Sequence, residues 1–405
     1  MTLFAIFIIL VFLHSLVSER LEKTIITAPI VFTTAGMAAF IFLPEFRDRE
    51  HSLDTFLSVA ELGLVMLLFA DASKTDLNVL KNIRNLPVRL LSAGMLMTIF
   101  LGGLCALGVF PGLSIWEAGI LGAILAPTDA GLGQIIVNSP RVPMKIRQAL
   151  NVEAGLNDGL SVPFLLFFIS LAEFSSLGPE KSLIRFIIEQ LGFGVLFGIG
   201  IGLTGGWLMG LSHRRKWMGH SWSQLGVVAL ALLSAAASEP FGASMFIAAF
   251  VAGLSVQVGY KEVGKHSVDF TEEWGQLLNL SVFFIFGFLV ARVGGDFKWT
   301  HLFYGILSLT VVRMSPVAIA LMGTGLSRTS VLFMGWFGPR GLASIVLGLI
   351  YLEQTHHTGD ASIRLAVMAT VMLSIFAHGL SAVPGIELYA RKVKSLPKDA
   401  PEHET

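Results

Sequence analysis

The fold is decided by the stretch Asn151-Val152-Glu153-Ala154-Gly155-Leu156-Asn157-Asp158-Gly159-Leu160-Ser161-Val162-Pro163-Phe164. It places two carboxylates, Glu153 and Asp158, inside an apolar segment. Carboxylates within a membrane span are costly and are by default functional. A second interrupted apolar segment with its own acid, Ala126-Pro127-Thr128-Asp129, comes shortly before it. The two segments together predict a polar site inside a membrane protein.

The composition supports a membrane environment for most of the chain. Of the 405 residues, 54% are hydrophobic and 14% are charged, and the mean hydropathy is +0.74. Soluble domains carry about 25% charged residues, so this chain has too few charges for a water-exposed surface. The formal net charge is zero, which gives no reason to expect a nucleic-acid partner. The single cysteine, Cys105, excludes an internal disulfide framework and zinc sites built from paired cysteines.

Apolar runs of about 18–25 residues, separated by short charged loops, predict transmembrane helices. We therefore expect an all-α polytopic membrane protein with about 13 spans. They lie near residues 2–18, 24–44, 52–72, 86–110, 113–137, 145–173, 184–211, 222–238, 241–258, 271–292, 300–322, 328–353 and 362–385. The first run has no basic start and no cleavage site of small residues, so we interpret it as a span rather than a signal peptide.

The distribution of Lys and Arg predicts the orientation. With the N-terminus outside, 19 basic residues fall in cytoplasmic loops and 7 in outer loops, while Arg313 and Arg340 fall within spans. We expect a multi-pass protein of the inner (plasma) membrane with its C-terminus in the cytoplasm. Residues 390–405 are interpreted as a short cytoplasmic tail whose polar end is disordered.

Spans 1–6 and spans 8–13 then have opposite topology, as in transporters built from inverted repeats. The fifth span of the first repeat contains Pro127. The fifth span of the second contains Gly335-Trp336-Phe337-Gly338-Pro339-Arg340-Gly341. Helices broken at corresponding positions of two repeats indicate a binding site near the membrane midplane. We therefore expect two crossing broken helices.

Asp158 is the main candidate for a carrier of both a proton and a cation. Because desolvation disfavours the charged form of a carboxylate, Asp158 can bind a proton or a small cation in turn. Glu153 lies five residues earlier, about 140° round the helix, and is expected to form a structural ion pair with Arg340. For Arg313 three interpretations stay open: charge balance for Glu153, charge balance for Asp158, or a position near the membrane boundary.

Other polar residues have secondary interpretations. Thr128 and Asp129 follow a proline where freed carbonyls can face a cavity, so both are candidates for cation binding, and Asp129 is also a candidate to neutralise the positive end of a half-helix. Asn157 can orient the site without adding charge, and it is also a candidate for cation binding beside Asp158. Asp71 is either a gate residue or an acid paired with Lys74 at a helix end. His378 is interpreted as a packed or interfacial residue.

At these residues the chain resembles the monovalent cation–proton antiporter family, and within it the electroneutral sodium–proton exchangers of the bacterial and archaeal type. The resemblance rests on Ala126-Pro127-Thr128-Asp129, on Asn151 to Gly159, on Arg313, and on Gly338-Pro339-Arg340-Gly341-Leu342-Ala343-Ser344. It extends over all 13 predicted spans.

The resemblance implies a homodimer with an elevator-like movement of its core. It implies a dimerisation domain formed by residues 1–72 and 222–292, a core formed by residues 86–173 and 300–385, and a linking helix at 184–211. It also implies that the Asn157-Asp158 pair belongs to electroneutral exchange. The family often has Ser one turn before the carrier, whereas this chain has Ala154, so the identity of the cation stays open.

The resulting hypothesis is a secondary antiporter, not an enzyme, that exchanges H⁺ for a monovalent cation by alternating access and needs no cofactor. Na⁺ or Li⁺ is favoured; a K⁺/H⁺ antiporter of the same fold is the alternative. A proton- or sodium-coupled symporter of an organic solute is a third possibility. The Gly-x-Gly-Asp segment of an intramembrane aspartyl protease is absent from the sequence, and so are the repeated filter or charge rings of a channel.

Overall fold

The computed structural model describes residues 2–21, 24–43, 53–75, 86–177, 188–261, 263, 268–354, 360–397 and 400–403. These described residues form helices and no strand. Each of the 13 predicted spans coincides with one helix or with two consecutive helices. Among the helices of eight residues or more, the first eight are α1 Thr2–Ser15, α2 Ala28–Phe42, α3 Leu53–Lys74, α4 Leu86–Val109, α5 Ile115–Ile124, α6 Ala130–Val137, α7 Met144–Leu177 and α8 Ile188–Arg214. A single helical turn, Ser18–Leu21, lies between α1 and α2. The second eight are α9 His220–Ser238, α10 Met245–Gly259, α11 Asp269–Arg292, α12 Trp299–Leu309, α13 Val311–Ala320, α14 Arg328–Trp336, α15 Leu342–Gln354 and α16 Asp360–Lys394.

Helices long and apolar enough to cross a membrane are numerous in the described part of the chain. Seven stretches qualify by length and composition, counting α12 and α13 as one, and five shorter apolar helices accompany them. Several basic loop residues used for the predicted orientation lie outside the described residues, namely Lys23, Arg47, Arg49, Lys81, Arg84, Lys181, Arg185, Lys265 and Lys398. The predicted orientation of the termini therefore stays a prediction.

Two predicted spans are interrupted where the sequence places a proline. The first break, residues 125–129, separates α5 from α6, and the second, residues 337–341, separates α14 from α15. Pro127 and Pro339 have no N–H to continue a helical ladder. The matched broken helices predicted from the sequence are thus present.

The chain divides into two compact units. The first consists of Met1–Leu57, Arg84–Ala154 and Leu280–Thr405, and the second of Ser58–Ile83 and Gly155–Asn279. The first unit contains both breaks. Its largest buried side chain is Arg340, which is fully buried. The predicted division into dimerisation and core domains is a separate question and stays a prediction.

The second unit is organised by close packing of α8 on α10. Glycines recur every fourth residue on the contact face of α8, and a Cβ at Gly202 would lie 2.6 Å from the Ala252 carbonyl oxygen. Small residues let helix backbones approach closely in membranes. The glycines in the row are Gly194, Gly198, Gly202, Gly206 and Gly210.

The C-terminal end differs from the expectation of a disordered tail. Helix α16 continues to Lys394, nine residues beyond the predicted end of the last span, and residues 401–403 form a 3₁₀ turn. Glu402 in that turn is 3% exposed. The tail is ordered at these residues because the Glu402 side chain has buried hydrogen-bond partners.

Candidate ion site at the crossing of the broken helices

The two breaks cross and contact each other in the first unit. The Asp129 backbone N–H donates to the Pro339 carbonyl at 2.8 Å. The Ser344 hydroxyl on α15 donates to the carbonyl of Ile124, the last residue of α5, at 2.8 Å. Main-chain groups freed by one break are therefore bonded by the other, as irregular backbone at membrane depth requires.

Asp129 is the N-terminal cap of two half-helices at once. Its Oδ1 accepts a hydrogen bond from the Leu132 N–H in the first turn of α6, at 2.9 Å. Its Oδ2 accepts from the N–H of Leu342, the first residue of α15, at 2.6 Å. A negative charge is favourable at the positive end of a helix. The Asp129 carboxylate thus lies at the start of both α6 and α15, and its predicted dipole role stays a prediction.

Gly341 makes this shared cap possible. A Cβ at Gly341 would overlap the Asp129 carboxylate. A Cβ at Gly338 would overlap the guanidinium of Arg313 in the same way. Both glycines are required for close approach rather than for an unusual backbone conformation.

Arg340 complements Asp129 at the opposite end of a half-helix. Its Nη1 donates to the carbonyls of Ala126, at 2.7 Å, and Pro127, at 3.0 Å. These carbonyls follow the last turn of α5, where a helix carries unsatisfied acceptors and partial negative charge. The fully buried guanidinium of Arg340, a residue of the second break, therefore stabilises the first break.

The ion pair of Glu153 differs from the prediction. Arg313 on α13, and not Arg340, forms a bidentate pair with Glu153, with Nη1–Oε1 at 2.6 Å and Nη2–Oε2 at 3.0 Å. The two side chains are 4% and 3% exposed. Arg313 takes both carboxylate oxygens of Glu153 in place of the expected Arg340, whose Nη1 donates to carbonyls of the first break. Of the three interpretations of Arg313, charge balance for Glu153 is the one observed.

His378 and Ser374 hold the second break, which the sequence did not indicate. His378 Nε2 lies 2.9 Å from the carbonyl of Trp336, the last residue of α14. The Arg340 N–H donates to the Ser374 hydroxyl at 2.6 Å, and that hydroxyl lies 3.1 Å from His378 Nδ1. Nδ1 also lies 3.0 Å from the Ser374 carbonyl, so each ring nitrogen faces a carbonyl that can only accept a hydrogen bond. The only sequence signal was the four-residue spacing of Ser374 and His378, which places them on one helix face.

A small cavity lies beside the first break. Thr128, Asp129 and Pro339 line it together with Glu153 and Ala154 of α7. Thr128 is 2% exposed and contributes a hydroxyl, while the side chain of Ala154 contributes no oxygen. The cavity brings together the predicted site residues Thr128, Asp129 and Glu153 within the first unit.

Asn157 and Asp158 belong to the second unit, on the continuation of α7. Asn157 is 2% exposed, and Asp158 is partly buried. A Cβ at Gly155, one turn earlier, would lie 3.6 Å from the Asp71 carboxyl carbon. Asp71 therefore packs against the helix that bears Asp158. Lys74, the alternative partner considered for Asp71, forms ion pairs with Glu272 and with Asp269, the latter at 3.6 Å.

Two crossing broken helices with their ends capped by buried charges are typical of the fold of secondary transporters built from inverted repeats. The family model described as "Sodium/hydrogen exchanger, transmembrane" matches residues 6–387. The chain belongs to this family.

Named relatives include exchangers of both sodium and potassium. The chain is 25% identical over 310 residues to the Na(+)/H(+) antiporter 2 of Zygosaccharomyces rouxii, covering 67% of this chain and 38% of that protein. It is 24% identical over 352 residues to the K(+)/H(+) antiporter NhaP2 of a Shewanella species, covering 85% of this chain and 59% of that protein. The chain thus spans less than two thirds of the length of these relatives, which are transporters rather than enzymes.

The fold is also similar to that of a solved archaeal protein. The sodium proton antiporter MjNhaP1 from Methanocaldococcus jannaschii, at pH 8, superimposes with a TM-score of 0.72 and 19% identity. The match covers 94% of this chain and 99% of that one. It supports the predicted all-α fold with inverted repeats.

Proposed function

We propose that this protein exchanges protons for a monovalent cation by alternating access. The observation that carries the proposal is the crossing of two broken helices whose ends are capped by Asp129 and Arg340. Helix α7, which bears Asp158, borders the cavity at this crossing through Glu153 and Ala154. The capped crossing is a fixed framework on which an ion can be bound away from water.

Asp158 is proposed as the shared site of the proton and the cation. Arg313 occupies both carboxylate oxygens of Glu153, which supports a structural role for Glu153. Asp129 uses both oxygens as helix caps. Asp158 can then bind H⁺ or a hard cation in alternation, since each neutralises the same carboxylate. Thr128, Asp129 and Asn157 remain proposed cation-binding residues, and Asp71 a proposed gate.

Exchange is proposed to be electroneutral. Asn157 cannot take up a proton, so Asp158 is the titrating member of the Asn-Asp pair. One proton leaves for each monovalent cation that binds. The exchange rate should therefore be insensitive to an imposed membrane potential, and a rate that follows the potential would contradict electroneutrality.

Na⁺ or Li⁺ is favoured as the cation, with K⁺ as the second candidate. Hard cations require oxygen ligands, and Ala154 removes one oxygen from the face of Asp158. Relatives named for Na⁺ and for K⁺ exchange are about equally similar to this chain. A symporter of an organic solute is the less favoured alternative, and it would move protons only after the solute is added.

The deciding experiment measures proton flux in proteoliposomes with a pH-sensitive dye after pulses of Na⁺, Li⁺ or K⁺. Asp158→Asn is expected to abolish the flux. Asp296→Asn, the same change at an exposed turn, is the matched control and should exchange normally. Normal exchange by the Asp158→Asn variant would refute the assignment of the carrier.

The proposal also covers the oligomeric state and the location of the protein. We propose a homodimer formed through residues 1–72 and 222–292, in the inner membrane, with the N-terminus outside and a role in pH homeostasis. Mass measurement in detergent tests the dimer. Labelling of single cysteines introduced into the loops tests the orientation.

A further inference from the structure

Glu402 is a buried acid in the polar segment that follows the last helix. It lies in the 3₁₀ turn Pro401–His403 and is 3% exposed. Glutamate is almost never fully buried unless its charge is paired or hydrogen-bonded. The partners of Glu402 therefore show what this segment contacts.

Those partners lie at the start of the broken helix α14. Glu402 Oε1 accepts from the Ser327 backbone N–H at 2.7 Å and from the Ser330 hydroxyl at 2.6 Å. Ser327 is the N-cap of α14, and its own hydroxyl accepts from the Ser330 N–H at 3.2 Å. The carboxylate thus lies at the positive end of a half-helix, where a negative charge is stabilising.

The same hydroxyl joins α14 to α16. Ser330 Oγ lies 2.8 Å from the Tyr389 hydroxyl. A serine hydroxyl has one proton to donate, and Ser330 gives it to Glu402, so Tyr389 donates to Ser330. The Tyr389 ring stacks on Phe333 of α14 with ring centroids 4.0 Å apart. Glu402 completes a polar connection between the C-terminal segment, α14 and α16.

Helix α14 is short, and the Glu402 contacts act at its start beside the packing of Val331 and Phe333 on the hydrophobic core. It has only nine residues, and its other end leads directly into the second break. His378 holds the last carbonyl of α14, whereas Ser327 and Ser330 near its start are held by Glu402. A tilt of the start would displace residues 337–341, which include Arg340.

We propose that Glu402 is a positioning residue of the transport cycle: it fixes the start of α14 and, through that helix, the second break. This inference rests on the proposed function. Glu402 does not touch the proposed carrier. Its loss should slow the conformational step without altering cation binding.

The test compares Glu402→Gln with the wild type in the proteoliposome assay, at equal amounts of monodisperse protein. Glutamine keeps the shape and removes the charge that the Ser327 N–H and Ser330 hydroxyl stabilise. We expect turnover to fall about tenfold, with the KM for the cation within about twofold of wild type. Glu402→Asp should recover part of the turnover. Glu387→Gln is the matched control, since Glu387 is an exposed acid of α16 paired with Arg141 at 3.5 Å.

Ser330→Ala removes the same hydrogen bond from the other side and is informative even if Glu402→Gln folds poorly. It should lower turnover in the same way, and the double variant should be little worse than either single variant. Wild-type turnover in Glu402→Gln, additive losses, or a change confined to KM would overturn the inference. A wild type without cation-driven proton flux would instead refute the proposed function. Thermal stability still reports whether Glu402 and Ser330 are coupled.

Discussion

The buried Glu153–Arg313 pair gives the sharpest test of the interior. With side chains 4% and 3% exposed and both hydrogen bonds formed, water contributes little screening. Glu153→Leu leaves the Arg313 charge buried without its partner, which costs roughly 3–5 kcal/mol. Replacing both members, as in Glu153→Leu/Arg313→Met, removes the uncompensated charge. Apolar replacement of a whole buried pair is often neutral, so the double variant should recover most of the loss.

The assay is thermal unfolding of the purified protein in detergent, followed by tryptophan fluorescence. The single variant should melt roughly 4–6 °C below wild type, and the double variant clearly above the single one. The control is the exposed Arg141–Glu387 pair, whose side chains are 63% and 48% exposed. Replacing one member of this pair should change the melting temperature little, because surface pairs contribute about 0–1 kcal/mol. A double variant less stable than either single variant would refute the reasoning. So would stronger coupling of Glu153 to Arg340 than to Arg313.

Three further predictions concern packing, the shared cap and the C-terminal contact. Gly202→Leu should lower the stability of the second unit by about 1–3 kcal/mol through overpacking against α10. The control is Gly200→Ala on the open face of α8, where a Cβ meets nothing within 4 Å. This control should be neutral or stabilising in the same melting assay. Gly341→Ala should abolish exchange and lower the melting temperature, because its Cβ displaces the Asp129 carboxylate from both helix starts; unchanged transport would contradict the shared cap. Burial alone would raise the pKa of the Glu402 carboxyl, but the hydrogen bonds from Ser330 and Ser327 hold this pKa below its ordinary value of 4.5. The stabilising contribution of its charge is therefore complete above pH 4.5 and is lost as pH falls through the lower folded-state pKa. The melting-temperature difference between wild type and Glu402→Gln should be constant from neutral pH down to about pH 5 and shrink only in stronger acid.

The breaks and the membrane class could be predicted because their causes are local. Pro127 and Pro339 lack the N–H that a helix needs, and their matching positions follow from counting apolar runs. The boundary between α9 and α10 is local too, since Pro240 and Gly242, the latter at φ +65°, end one helix before the next begins.

The choice of partner for Glu153 could not be predicted in this way. The sequence shows two arginines in apolar spans, but which one meets Glu153 depends on the direction of side chains across packed helices. Arg340 lies in non-helical backbone beside free carbonyls, and this became apparent only from the crossing. The burial of Glu402 could not be predicted, because its neighbours in the sequence are polar. Its burial depends on contacts with the start of α14, which is distant in the sequence.

The shared cap has a consequence for the origin of the two halves. In the register set by Pro127 and Pro339, Asp129 corresponds to Gly341, so one repeat supplies the carboxylate and the other supplies the empty space that receives it. A chain assembled from two identical copies of either half would bring two acids into one space or leave both helix starts bare. The repeats have therefore become complementary rather than equivalent, and neither can be duplicated to replace the other.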